Sequence, residues 1–194
     1  MPQTRPSIEH HTYGEYLTWP EDQRYELIDG LAYAMAAAPV RRHQRLSFEV
    51  ARQIADALED GPCEVNVAPF DVRLPDGDEV DEAVATVVQP DITVVCDPFK
   101  LDERGCRGAP DWIIEVLSPA SAGQDQVRKL ALYERHGVKE YWLAHPGDRI
   151  VTVYRLDGGV YGRPLVMEME GRLASTACPQ VEIDWGRVVK GLPC

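Results

Sequence analysis

Two carboxylates in this chain stand where an apolar strand should carry none. Asp91 closes Gln89-Pro90-Asp91 ahead of an apolar segment, and Glu115 interrupts the run Asp111-Trp112-Ile113-Ile114-Glu115-Val116-Leu117. An ionised carboxylate left unpaired among apolar side chains costs several kcal/mol, a large share of a small domain's stability, so each needs a cation or hydrogen bonds. Two such groups suggest one shared divalent ion. Magnesium takes hard oxygen ligands in octahedral geometry at roughly 2.0–2.1 Å and keeps several waters, so two carboxylates and a backbone carbonyl suffice. Such a site suits phosphodiester hydrolysis: the cation offsets the charge that repels hydroxide and lowers the pKa of bound water.

A third candidate is Lys129. Only four of the 20 basic residues are lysine, the others being arginine, which makes each lysine worth weighing. At helical spacing Asp125, Lys129, Leu132 and His136 share a stripe on the segment that follows Glu115, so the ammonium could swing back over the carboxylates. There it could orient water or stabilise charge on phosphate. On pattern alone an exposed Asp125–Lys129 ion pair, contributing roughly 0.3–0.5 kcal/mol, is the simpler account.

The elements that must position these residues are legible in outline. Residues 12–19 can form a short helix, and residues 25–35 form two strands joined through Asp29-Gly30, a strong hairpin signal that puts Glu26 in a strand. In residues 40–60 Leu46, Val50, Ile54 and Leu58 make one helical stripe, which Gly61-Pro62 ends. Strands are expected over 65–74 and 86–96, with the acidic segment 76–82 between them as a solvated loop. Residues 112–117 have the continuous apolar character of a central strand; a helix ends at His136 before Gly137, and strands follow at 140–143, 150–156 and up to Val166. This order predicts a single α/β or α+β domain over residues 1–194: a mixed central sheet flanked by helices, a hairpin in front and a small β-rich tail.

Composition restricts the partners. Acidic residues outnumber basic ones 32 to 20, a formal charge of −12, so any nucleic-acid contact has to be local. The five cysteines show neither paired nor zinc-ligand spacing, and reduced thiols in a cytoplasm are expected. The first residues lack the basic patch and apolar stretch of a signal peptide and no segment is long enough to span a bilayer, so a soluble, cytoplasmic protein without a membrane partner is expected.

Other chemistry-bearing residues have plainer readings. Glu26 alone would be an exposed strand glutamate, and His43 a hydrogen-bonded boundary histidine. Arg41, Arg45 and Arg52 share a helical face that could meet phosphate, with a solvated face the simpler account. Ser118 and Ser121 lack a nucleophile elbow and suit helix capping, His136 and His145 fit no zinc pattern, and Tyr141 and Trp142 suit packing.

Taken together, Tyr25-Glu26-Leu27-Ile28-Asp29-Gly30, Arg42-His43-Gln44-Arg45, Gln89-Pro90-Asp91, Ile114-Glu115-Val116-Leu117-Ser118-Pro119, Lys129-Leu130-Ala131-Leu132-Tyr133 and Glu140-Tyr141-Trp142-Leu143 resemble the Uma-type restriction endonuclease family of the PD-(D/E)XK nuclease superfamily. The likeness runs in order over about residues 12–156. It implies a restriction-endonuclease-like core in which Asp91 and Glu115 bind magnesium, with manganese as a substitute, Glu26 adds an acidic group, and Lys129 is the catalytic lysine acting on DNA. Where the superfamily pattern has lysine two residues after the glutamate, this chain has Leu117; the Uma-type family is similar to it in taking lysine from the next helix. A symmetric homodimer would suit the two strands of a duplex. The rival expectation is a catalytically silent nuclease-like binding or regulatory module.

Overall fold

Asp29 and Gly30 have φ angles of 51° and 77°, the left-handed pair that a tight two-residue hairpin turn requires. The flanking strands pair at Ile28↔Leu31 and Glu26↔Tyr33. The computed structural model describes residues 9–20, 23–35, 38–117 and 124–193; side chains 124–126 are not among them, so the expectations for Ser118, Ser121 and an Asp125 partner lie outside the described residues. In chain order the elements are α1 (Tyr13–Tyr16), β1 (Tyr25–Ile28), β2 (Leu31–Ala34), α2 (Arg41–Leu58), β3 (Glu64–Val67), β4 (Val72–Arg73), β5 (Val87–Val88), β6 (Ile92–Val95), β7 (Leu101–Asp102), β8 (Gly105–Arg107) and β9 (Trp112–Val116). They continue as α3 (Gln124–His136), β10 (Glu140–His145), β11 (Ile150–Asp157), β12 (Val160–Tyr161), β13 (Leu165–Glu168), β14 (Arg172–Ala174), β15 (Glu182–Asp184) and α4 (Trp185–Lys190).

The class is α+β, with all strands but the β14–β15 pair divided between two mixed sheets. The larger has the order β12-β11-β10-β9-β6-β3, with β13 also on β11; the smaller has β2-β1-β5-β4-β8-β7; β14 and β15 pair separately. This division alters two expected strands. Residues 65–74 contribute β3 to one sheet and β4 to the other, and residues 86–96 split likewise into β5 and β6. Pro69 and Pro90 lie at the two breaks, where the lack of an N–H removes a ladder bond.

Alternation along β9 shows how the layers stack. Trp112, Ile114 and Val116 enter a core shared with Leu46, Val50 and Ile54 of α2 and with Trp185 and Val188 of α4. Ile113 points the other way, into a second core with Leu132 and Tyr133 of α3 and Ile28, Val72 and Val88 of the smaller sheet. A strand covered on both faces is apolar on both, which explains the unbroken run at 112–114. Tyr141 and Trp142 of β10 are fully buried, as packing residues should be.

Two expectations are corrected by tertiary contacts. Cys63 and Cys96 form a disulfide, although their spacing in sequence gave no sign of it. The β3–β6 ladder, with Glu64 opposite Val95, brings the residues just beyond it face to face. The acidic segment is also not wholly solvated: Asp81 meets the fully buried Arg73 at 2.6 Å, and Asp102 meets the same guanidinium at 2.7 Å.

Candidate active site

Strand pairing brings the two unusual carboxylates together. β6 and β9 run antiparallel with Ile92 opposite Ile114, so one step further Asp91 lies opposite Glu115. The Val116 N–H, next to Glu115, donates to Asp91 Oδ2 at 2.7 Å. Since Ile114 faces α2, alternation turns Glu115 with Ile113 toward α3 and the smaller sheet.

Helix α3 supplies the cation. Leu132 and Tyr133 are anchored in the second core, and Lys129, three and four residues earlier, shares their face. Its Nζ donates to Glu115 Oε1 at 2.9 Å and to Glu26 Oε1 at 2.8 Å, while the Tyr133 hydroxyl donates to Glu115 Oε1 at 3.1 Å. Glu26 is buried, not exposed as its strand position alone suggested: it follows Ile28 toward the second core and also accepts the Gln89 N–H at 2.9 Å. The structure therefore assembles all four residues singled out in the sequence, Glu26, Asp91, Glu115 and Lys129, from β1, the approach to β6, β9 and α3.

The electrostatics divide unevenly between the partners. Burial opposes charge on Lys129, but Glu115 and Glu26 outweigh it and hold the ammonium protonated. Burial raises the Glu115 carboxyl, Lys129 lowers it, and the negative charges of Asp91 and Glu26 raise it again; the net is a shift up to about 7. One ammonium shared by two acids, with a third acid close by, leaves negative charge for a further cation to offset.

Three more residues complete the site. His43 Nε2 lies 3.1 Å from Asp91 Oδ2, so the histidine read as a boundary residue contacts a candidate ligand. Burial disfavours its charged form, but the hydrogen bond and charge of Asp91 prevail and its pKa is raised. Gln89 bridges Glu26 to Asp71, donating through Nε2 to Asp71 Oδ1 at 2.8 Å. Tyr133 was visible only as the residue four after Lys129. By contrast Arg41 and Arg45 are exposed, and Arg52 pairs with Glu49 and Asp56 on its own helix, in keeping with the solvated face.

Glu26, His43, Gln89, Asp91, Glu115 and Lys129 line a cleft of about 870 Å³, whose wall also includes Phe48 and Val67. The donor set fits magnesium. Asp91 and Glu115 offer oxygens from directly opposed positions, and among the described residues no hydrogen bond engages Asp91 Oδ1 or Glu115 Oε2. Carboxylate oxygens are hard donors of the type that ion prefers.

The fold belongs to a class already seen in a solved structure. A crystal structure described as a putative nuclease belonging to DUF820, from Anabaena variabilis, superposes with a TM-score of 0.74 at 20% identity, covering 94% of this chain and 99% of that one. A curated relative, the uncharacterized protein slr1290 of Synechocystis sp., is 28% identical over 131 residues, 66% of this chain and 65% of the relative, just under two thirds of its length. Residues 13–186 match the Uma2 family, whose description is "Putative restriction endonuclease", and the chain belongs to that family.

Proposed function

We propose that the protein is a magnesium-dependent endodeoxyribonuclease that hydrolyses phosphodiester bonds of DNA. The observation carrying this reading is the opposition of Asp91 and Glu115 across two paired strands, with the Lys129 ammonium bound to Glu115 and Glu26. Family membership and the fold of the Anabaena protein support a nuclease. Asp91 and Glu115 would hold the ion, with Glu26 as an additional acidic group. Magnesium, when bound, supplies Lewis acidity that offsets phosphate charge and eases deprotonation of water. Lys129 keeps Glu115 oriented and presents positive charge to the cleft, where it can polarise the reacting oxygens. His43 and the Val116 N–H fix the Asp91 carboxylate, and Tyr133 fixes Glu115, so neither acid must reorganise during the reaction.

Asp91→Ala and Glu115→Gln are the direct tests. Each should abolish magnesium-stimulated cleavage of duplex DNA while circular dichroism stays native; unchanged cleavage in both variants rejects the assignment. The net charge of −12 favours one alternative, a silent nuclease-like module that binds or regulates. Calorimetric titration separates the two, because a module of that kind has no need to bind magnesium or manganese in the cleft.

A further inference from the structure

A second group of ligand-type side chains lies apart from the acidic cleft. The sulfurs of Cys63, Cys96 and Cys178 all fall within 4.8 Å of one another, and Cys96 Sγ is 3.8 Å from Cys178 Sγ. Three separate parts of the chain meet here: the turn after α2, the end of β6, and the loop between β14 and β15. Further contacts hold each part in place. The β3–β6 ladder fixes Cys63 and Cys96; the buried Asp111 accepts the Cys96 N–H at 2.7 Å; the fully buried Glu140 accepts Ser175 Oγ and the N–H groups of Thr176 and Ala177, and Ser175 Oγ in turn accepts the Cys178 N–H.

We infer that, once the Cys63–Cys96 disulfide is reduced, Cys63, Cys96 and Cys178 form a three-thiolate site for a thiophilic divalent cation of the zinc type. The distances support this. Zinc–sulfur bonds of about 2.3 Å in tetrahedral array place ligand sulfurs roughly 3.8 Å apart. The Cys96–Cys178 pair already has that separation, and breaking the disulfide frees Cys63 to move out to it. Cys178 is 1% exposed whereas Cys63 and Cys96 are half-buried, so the ion has a closed inner wall and an entry from outside. Three protein ligands leave one tetrahedral position for water or an added ligand.

The disulfide closes this site. In it two of the three sulfurs are bonded to each other and cannot act as thiolates. A dithiol opens it by giving two electrons and two protons to Cys63 and Cys96 and itself becoming a disulfide; the cation then displaces the thiol protons to solvent. The site is distinct from the acidic cleft, since Asp91 and Cys96 flank opposite ends of β6, five residues and roughly 16 Å apart along a strand. A bound ion would tie the segment carrying β14, β15 and α4 to the larger sheet.

The test uses the full chain carrying Cys194→Ser, reduced with a dithiol that is then removed under anaerobic conditions, and titrated with cadmium(II) and then zinc(II). One cadmium ion per chain, an ultraviolet sulfur-to-cadmium charge-transfer band that persists when equimolar zinc is added, and a higher Tm are expected. C178A and C63S should each weaken binding by more than roughly 100-fold, beyond the effect of losing an outer-shell partner. The disulfide form should show no band, and D91A should keep it in full, which separates this site from the magnesium ligands. Absence of the band in the reduced chain, or its persistence in folded C178A or C63S, overturns the proposal.

Discussion

Replacing Lys129 with methionine keeps the apolar stem and removes only the ammonium. Glu26 Oε1 and Glu115 Oε1, now 2.8 and 2.9 Å from Nζ, then face each other's charge with no cation between them. The three side chains are only about a tenth exposed, so solvent screens little of this, and removing one partner of such a buried cluster costs about 3–5 kcal/mol. The loss should depend on pH with a definite sign. In the wild type the Glu115 carboxyl is raised from 4.5 to about 7, so the folded chain holds a proton that the unfolded chain has released. Stability therefore falls as pH rises through that window and levels off above it. Without Lys129 the carboxyl keeps its proton beyond pH 7, and the variant goes on losing about 1.4 kcal/mol per pH unit where the wild type no longer does. Urea unfolding followed through the buried Trp112, Trp142 and Trp185 should show a modest deficit near about pH 5 that widens toward about pH 8.5. A deficit that is flat with pH, or below about 1 kcal/mol at the upper end, would refute the reasoning.

Three further outcomes follow from contacts at the site and behind it. His43→Asn removes the imidazole 3.1 Å from Asp91 and should weaken manganese or magnesium binding roughly 10–100-fold in a calorimetric titration, with little change in unfolding midpoint. Tyr133→Phe deletes the hydroxyl bound to Glu115 Oε1; it should cost about 1.5–3 kcal/mol in urea unfolding and raise the Glu115 pKa further, read by carbon NMR of the carboxyl. Glu140→Ala strands Ser175 Oγ and two backbone N–H groups, and should cost about 3 kcal/mol and accelerate amide exchange at Thr176 and Ala177 ahead of the rest of the chain.

The fold was readable where periodicity and turn chemistry are local. Asp29-Gly30 announces the first hairpin because only a left-handed pair closes it tightly, and the Leu46–Val50–Ile54 stripe announces α2 because helical spacing aligns one apolar face. Reading stopped where elements are short and depend on partners. β7, β8, β14 and β15 have two or three residues each, too few for a periodic signal, and α4 is a single six-residue helix held by Trp185 in the core. The division of 65–74 and 86–96 between two sheets is a long-range choice that no window of neighbours contains.

By itself the sequence determined which residues are chemically out of place: carboxylates at 91 and 115 among apolar neighbours, and one lysine placed on a helix just after the second. Burial makes such residues costly, so their presence is informative before any coordinates exist. Tertiary structure alone decided that β6 pairs antiparallel with β9 in the register that sets Asp91 against Glu115, that Glu26 turns inward, and that His43 reaches Asp91. It alone brought Cys63, Cys96 and Cys178 together. Register and burial come from packing whole sheets and helices against one another, and a shift of one residue in the strand pairing would turn Glu26 and Glu115 to the opposite face of their sheets.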